Sequence, residues 1–341
     1  MLLVNNVALD TRTPAQFTHA PWNGGIRFAD LIFPWFLLIV GVAIPYSAAG
    51  AVRRGLPLWR YDLKVLGRVL ALVFLGCLID SAIAKQPLFD LNVLQLIGLA
   101  YGVGSLLYAL PLSRRLTVAL GFLVAHAAAL RYLPVPNVGA GVFTEDGNLI
   151  THLNRTYLQA VHLDGALSVV PTAALVLIGT AIGDLLRRQM RPGPKVVALL
   201  VTGAELLILG WLWHFSLPFN KPIWTASYIL FTAGLGVGVL TVLYVLVDLT
   251  GWWWLPFPLT VFGSNAIVAY VGPILVKLLI LREWTWRMPN GHRMPLETAL
   301  LHTAIVHYGP YRGGWVYTLG YLLVVWLVLL ELYRRKLFLR V

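Results

Sequence analysis

Cysteine is nearly absent: Cys77 is the one cysteine in 341 residues. That excludes an intramolecular disulfide and any multi-cysteine metal site. Charge is scarce as well. Only 12% of residues are charged, against roughly 25% in a soluble domain. Acidic residues are the rarer sign, 14 against 26 lysines and arginines. What fills the chain instead is apolar, 59% of residues with a mean hydropathy of +0.77. No soluble core of this size could hide that excess, and lipid can.

Long unbroken apolar runs identify helices as the spanning elements. Lipid offers no partner to a backbone N–H or C=O, so a chain either coils or closes into a barrel, and barrel strands alternate apolar with polar residues in short segments. The fold expected is therefore all-α, a polytopic transmembrane helical bundle forming one domain over 1–341. Runs of about 20 residues, the length needed to cross the hydrocarbon core, fall near 28–49, 64–84, 91–110, 116–133, 166–186, 196–215, 223–247, 257–281 and 315–333. That makes about nine spans. Met1-Leu2-Leu3-Val4 reads either as a peripheral helix or, the favoured reading, as the last turn of a further, truncated first span, because four residues cannot cross a bilayer and no basic segment of a signal peptide precedes them.

Charge then sets the expected orientation. If loop 50–63 is cytoplasmic, fifteen basic residues against four acids fall on that side, among them Arg53, Arg54, Arg114, Arg115, Arg334, Arg335, Lys336 and Arg340. Ten basic residues against nine acids fall on the other. Enrichment of Lys and Arg in short cytoplasmic loops is the positive-inside rule. The C-terminus is thus expected in the cytoplasm, and the basic balance reads as topology, with nucleic acid not a partner.

Histidines gather on the outside: His19, His152, His162, His214, His292, His302 and His307, with His126 in a span. Outer loops are where polar residues are allowed, and no carboxylates flank the His302–His307 pair, so no metal site is expected. The stretch 17–46 stands apart, with His19, Trp22, Asn23, Arg27 and Asp30 entering a span that carries Pro34 and Pro45. The prolines suggest interrupted helix at membrane depth, tolerated where it lines a cavity. Asp30 needs a partner there. A site and an interfacial anchor are both open readings of this run. Gln95, Glu205, Asn265 and Lys277 are further polar groups within spans. An ionised Glu205 would need a partner, and Lys277 sits where it could snorkel.

The block HAPWNG–FADLIFPWFLLIVGVAIPYS (19–47) resembles the signature of the heparan-α-glucosaminide N-acetyltransferase family and its bacterial relatives. VLQLIGLAYGVGSLLY (93–108), DGALSVVPTAALVLIGTAIGDLLR (164–187), LPFNKPIWTASYILFTAGL (217–235) and PFPLTVFGSNAIVAYV (256–271) follow in family order. The expectation is a bacterial-type form without the animal lumenal domain, in a bacterial inner (plasma) membrane. The resemblance implies transfer of an acetyl group from cytosolic acetyl-CoA to an amino sugar or related glycan on the far side, with a homodimer left open. It also implies that His19 is the active-site histidine and Asn5 its neighbouring asparagine, since Val4-Asn5 matches the family's V-N motif. Where relatives carry an acidic-Pro-Glu-Gly run, this chain has His162-Leu163-Asp164-Gly165.

Those residue types suit the chemistry. An amine attacking a thioester must lose a proton, which an imidazole can take, or the imidazole can accept the acetyl group itself. The side-chain amide of Asn5 can donate to a tetrahedral oxyanion. Asp30 could orient His19 or pair with Arg27. Arg53, Arg54, Arg114 and Arg115 are the candidates for the CoA phosphates. The competing function is a transporter or flippase of a lipid-linked or small polar substrate.

Overall fold

The apolar runs coil as their length and composition require. In the computed structural model, residues 1–22, 24–288 and 291–339 are described; Asn23 and Arg340 lie outside them. In chain order the helices are α1 (Leu2–Asn6), α2 (Phe28–Arg53), α3 (Leu58–Ala84), α4 (Val93–Leu107), α5 (Leu112–Tyr132), α6 (Leu149–Leu153) and α7 (Val169–Arg187), followed by α8 (Pro192–His214), α9 (Ala226–Leu243), α10 (Phe257–Ser264), α11 (Ala266–Val276), α12 (Leu296–Tyr308) and α13 (Pro310–Arg334). Two short antiparallel hairpins sit in loops. β1 (Pro134–Val135) pairs with β2 (Gly139–Ala140), and β3 (Thr285–Arg287) pairs with β4 (Arg293–Pro295).

A helix occupies each of the nine expected positions, but the count of nine spans is not matched. Among the described residues six helices are long and apolar enough to cross a membrane, or seven if a bent pair is one span. Helix α4 has only 15 residues. Helix α5 has 21 but carries Arg114, Arg115, His126 and Arg131. The run 257–281 breaks at Asn265, and its two halves meet at 76°. Asn265 is fully buried, and its side chain donates to the carbonyl of Leu337 and accepts from the N–H of Leu339. The buried amide at the break thus ties the C-terminal segment to the α10–α11 corner. Helix α12 was not expected at all.

Helix α7 lies at the centre. It is apolar around its whole circumference, the pattern of a fully enclosed helix, and residues 172–180 are all buried. It meets α2 along a glycine seam. A Cβ on Gly41 would lie 2.2 Å from the carbonyl of Val176, and one on Gly179 would lie 2.3 Å from that of Leu38. Small residues let membrane helices approach closely enough for dispersion contacts to hold them. Helices α3, α8 and α13 are peripheral. Glu205 projects from the exposed face of α8, and no ion pair forms to it among the described residues. Lys277 does not simply snorkel: its ammonium pairs with Glu297 of α12 at 2.7 Å, and Arg282 bonds the other oxygen of that carboxylate at 3.2 Å.

Helix α2 is continuous from Phe28 to Arg53 despite Pro34 and Pro45, contrary to the interruption expected. A helical proline removes the hydrogen bond to the carbonyl four residues earlier. For Pro34 that carbonyl belongs to Asp30, and the hydroxyl of Tyr228 on α9 donates to it at 2.6 Å. The deficit is satisfied from a neighbouring helix, so the backbone has no cause to unwind.

Candidate active site

Asp30 is the third residue of α2, where exposed N–H groups and the helix dipole favour a carboxylate. Its Oδ2 accepts from the backbone N–H of Arg27 at 3.1 Å and of Ala20 at 3.0 Å. Its Oδ1 lies 2.8 Å from Nδ1 of His19. The preceding loop is thereby folded back onto the helix start, with His19 above it. Arg27 is not the partner of the Asp30 carboxylate through its guanidinium. That group reaches Thr18 Oγ1 at 2.6 Å and the carbonyl of His19 at 3.1 Å, bracing the loop from the other side.

Two further segments fix this loop. Trp22 Nε1 donates to the carbonyl of Phe143 at 2.6 Å, and Asn220 donates to the carbonyl of Trp22 at 3.1 Å. Asn220 belongs to the loop between α8 and α9, which is tightly self-bonded. The Asn220 N–H reaches Thr225 Oγ1 at 3.0 Å, and its side-chain oxygen accepts from the N–H of Ile223 at 3.2 Å. Trp224 closes the loop with φ of 49°, a left-handed conformation that costs a non-glycine residue energy and survives where the surroundings enforce it. Its indole packs edge-on against Phe33 of α2, with centroids 5.2 Å apart.

This loop delivers Lys221, which the sequence reading passed over. Its Nζ lies 3.0 Å from His19 Nδ1 and 3.4 Å from Asp30 Oδ1. Burial pulls the Lys221 ammonium below the usual lysine range, and the Asp30 carboxylate beside it pulls back the other way. His19, Lys221 and Asn5 face a common cavity of about 100 Å³ walled by Phe33, Val93 and Tyr270. Asn5 and Tyr270 also border a second cavity of about 230 Å³ that carries Lys277 and Arg282. The site residues thus come from the N-terminal helix, the loop before α2, α2 itself, the α8–α9 loop and α11.

The other candidates go elsewhere. Arg53, Arg54 and Arg114 are exposed at the far end of the helices. Asp30 and Arg53 are 23 positions apart, or about 35 Å at 1.5 Å per helical residue. Arg115 is not a surface cation. It is 4% exposed, its guanidinium donates to Asp184 and to Thr180 on α7, and it stacks over Tyr108. Arg115 therefore belongs to the α5–α7 packing and not with Arg114. Among the remaining histidines, His126 bonds the carbonyl of Ile223, His214 accepts from the N–H of Phe219, and His307 bonds the carbonyl of Thr303. The first ties α5 to the α8–α9 loop, and the other two are local.

The arrangement holds a carboxylate, an imidazole and an ammonium in mutual contact at the edge of a small cavity that a carboxamide also lines. That set can accept, hold and return a proton and can donate hydrogen bonds to a developing oxyanion.

No protein-family model matches the chain. The human heparan-alpha-glucosaminide N-acetyltransferase is 25% identical to it over 356 aligned residues, covering 85% of this chain and 53% of the human protein. The mouse heparan-alpha-glucosaminide N-acetyltransferase is 22% identical, covering 85% and 54%. The chain spans about half the length of the curated relatives it matches. The resemblance carried by residues 19–47 thus extends over most of the chain, which is a multi-pass helical membrane protein similar to the heparan-alpha-glucosaminide N-acetyltransferases.

Proposed function

We infer that the chain is a transmembrane acetyltransferase that takes acetyl groups from cytosolic acetyl-CoA. The acceptor is an amino sugar or a related cell-envelope glycan on the extracytoplasmic side. The observation that carries this reading is the His19–Asp30 pair at the edge of a cavity shared with Asn5, in a chain whose relatives are named N-acetyltransferases.

In this reading the acceptor amine attacks the thioester carbonyl. The C–N bond forms, the tetrahedral oxyanion takes a hydrogen bond from the Asn5 amide, and the C–S bond breaks. The amine proton passes to the His19 imidazole and on to the departing CoA thiolate. In the two-step form of the same chemistry, the imidazole first receives the acetyl group and then passes it to the amine. Arg53, Arg54 and Arg114 are the cations available to the CoA phosphates. Helices α4 and α5 and the bent pair α10–α11 complete a nine-span topology with the C-terminus in the cytoplasm, in a bacterial inner membrane.

The test is release of free CoA by the purified protein, measured with and without glucosamine and cell-wall amino sugars. Acceptor-dependent CoA release is the result expected, and none with any amino sugar overturns the reading. The 76° break at Asn265 is the kind of interruption transporters use at a binding site. Uptake of a labelled glycan into proteoliposomes without CoA release would favour that alternative.

A further inference from the structure

Two neighbours of His19 Nδ1 ask opposite things of it. Asp30 Oδ1, at 2.8 Å, needs an N–H there, and the Lys221 ammonium, at 3.0 Å, can bond only to a lone pair. A ring nitrogen carries one or the other. The geometry favours Asp30. Its carboxylate is buried and anchored by the N–H groups of Ala20 and Arg27, whereas Lys221 has another acceptor, Asp30 Oδ1 itself at 3.4 Å. With Nδ1–H donated to Asp30, the lone pair is on Nε2.

What then is Lys221 for? An ionised carboxylate beside an imidazole favours the imidazolium. An imidazolium has no lone pair with which to take a proton or an acetyl group. An orienting carboxylate alone therefore raises the basicity of the ring it orients and lowers the share of that ring that is neutral. We propose that Lys221 is a positioning residue that cancels the charge of Asp30 at His19, so that the imidazole stays neutral with its lone pair on Nε2.

The other groups around His19 do not supply that charge. The Arg27 guanidinium is turned onto Thr18 and the His19 carbonyl. Tyr270 of α11 and Met1 also line the cavity, and among the described residues neither bonds His19 or the Asp30 carboxylate. Lys221 is the cation in contact with both ring and carboxylate, and the self-bonded loop around Asn220 holds it there. Burial acts against its ammonium and the Asp30 carboxylate acts for it.

The consequence for turnover rests on the acetyltransferase reading; the tautomer does not. The test is nitrogen NMR of the full chain in lipid nanodiscs with ¹⁵N-labelled histidine. The His19 resonances are assigned by their loss in His19→Gln. At pH 7 the parent is expected to show Nδ1 protonated and Nε2 bare. Lys221→Met should show imidazolium at the same pH, with the His19 titration moved up by about one pH unit or more. Lys221→Arg should return the parent spectrum. Lys221→Gln serves if the methionine variant does not fold. A lone pair on Nδ1 in the parent, or a folded Met or Gln variant with the parent spectrum, overturns the proposal. In turnover, the acid limb of the pH profile should move up by the same amount in Lys221→Met and return in Lys221→Arg. A parent that transfers no acetyl group sinks the functional reading and leaves the NMR result standing.

Discussion

Tyr228 donates a hydrogen bond at 2.6 Å to the carbonyl of Asp30, which Pro34 leaves without its helical donor. A proline that would weaken α2 is thus answered by a hydroxyl on α9, and the backbone beneath the His19–Asp30 pair is tied to the helix that follows Lys221. Tyr228→Phe should orphan this carbonyl and lower stability by about 1–3 kcal/mol. Pro34→Ala restores an N–H four residues on. The double variant should therefore lose less than the sum of the two single changes. Thermal unfolding of the detergent-solubilised protein measures all three, and strict additivity would contradict the pairing.

The glycine seam makes the second prediction. Gly179→Val places a side chain where Leu38 O already stands 2.3 Å from the Cβ position, so α2 and α7 must separate. A loss of about 1–3 kcal/mol is expected, as for other overpacked cores. Gly121 of α5 has open space around it, and Gly121→Ala should be neutral or stabilise by about 0.5–1 kcal/mol. Equal melting shifts in the two variants would show that the seam is not a packing contact.

Arg114 and Arg115 should separate by phenotype. Removing Arg115 takes the ion-pair partner from Asp184 and leaves it the Tyr108 hydroxyl, and Arg115→Met should destabilise the protein by roughly 1–3 kcal/mol, less than for a fully enclosed pair because Asp184 is partly exposed. Arg53→Ala, Arg54→Ala and Arg114→Ala should leave the melting temperature in place. Each should raise the KM for acetyl-CoA several-fold, more weakly at high salt. An unchanged KM in all three removes them from the CoA site.

Orientation can be read by labelling. In a Cys77→Ser background, Gln159→Cys and Ser113→Cys place exposed thiols in segments assigned to opposite faces. An impermeant maleimide applied to intact cells should label position 159 and spare position 113. The reverse pattern would invert the topology.

Much of the fold was legible because apolar periodicity and length are local properties. The positions of the helices followed from them. The break at Asn265 did not, and the segment its side chain bonds lies 72 positions away. Nor did the continuity of α2, because the group that answers Pro34 lies on another helix. Arg115 was legible in part. Arg115, Ala119, Leu123, His126 and Leu130 form the buried stripe of α5 at helical spacing, a pattern that puts Arg115 inside and leaves Arg114 out. At the site, His19, Asp30 and Asn5 could be picked out from one short stretch and a family likeness. Lys221 lay within a quoted block, but its meaning depends on a contact 202 positions away, and no local pattern marks it.

In the proposed reaction His19 performs the acetyl-transfer chemistry. Acceptor-dependent CoA release by His19→Ala, measured per folded molecule in membranes beside the parent, tests that role. Because a positioned acid–base group contributes about 10²–10⁴ in rate, turnover should fall by that factor. The melting temperature and the KM for acetyl-CoA should barely move, since the cations assigned to CoA lie at the far end of the helices. A His19→Ala protein that releases CoA at the parent rate would contradict the account.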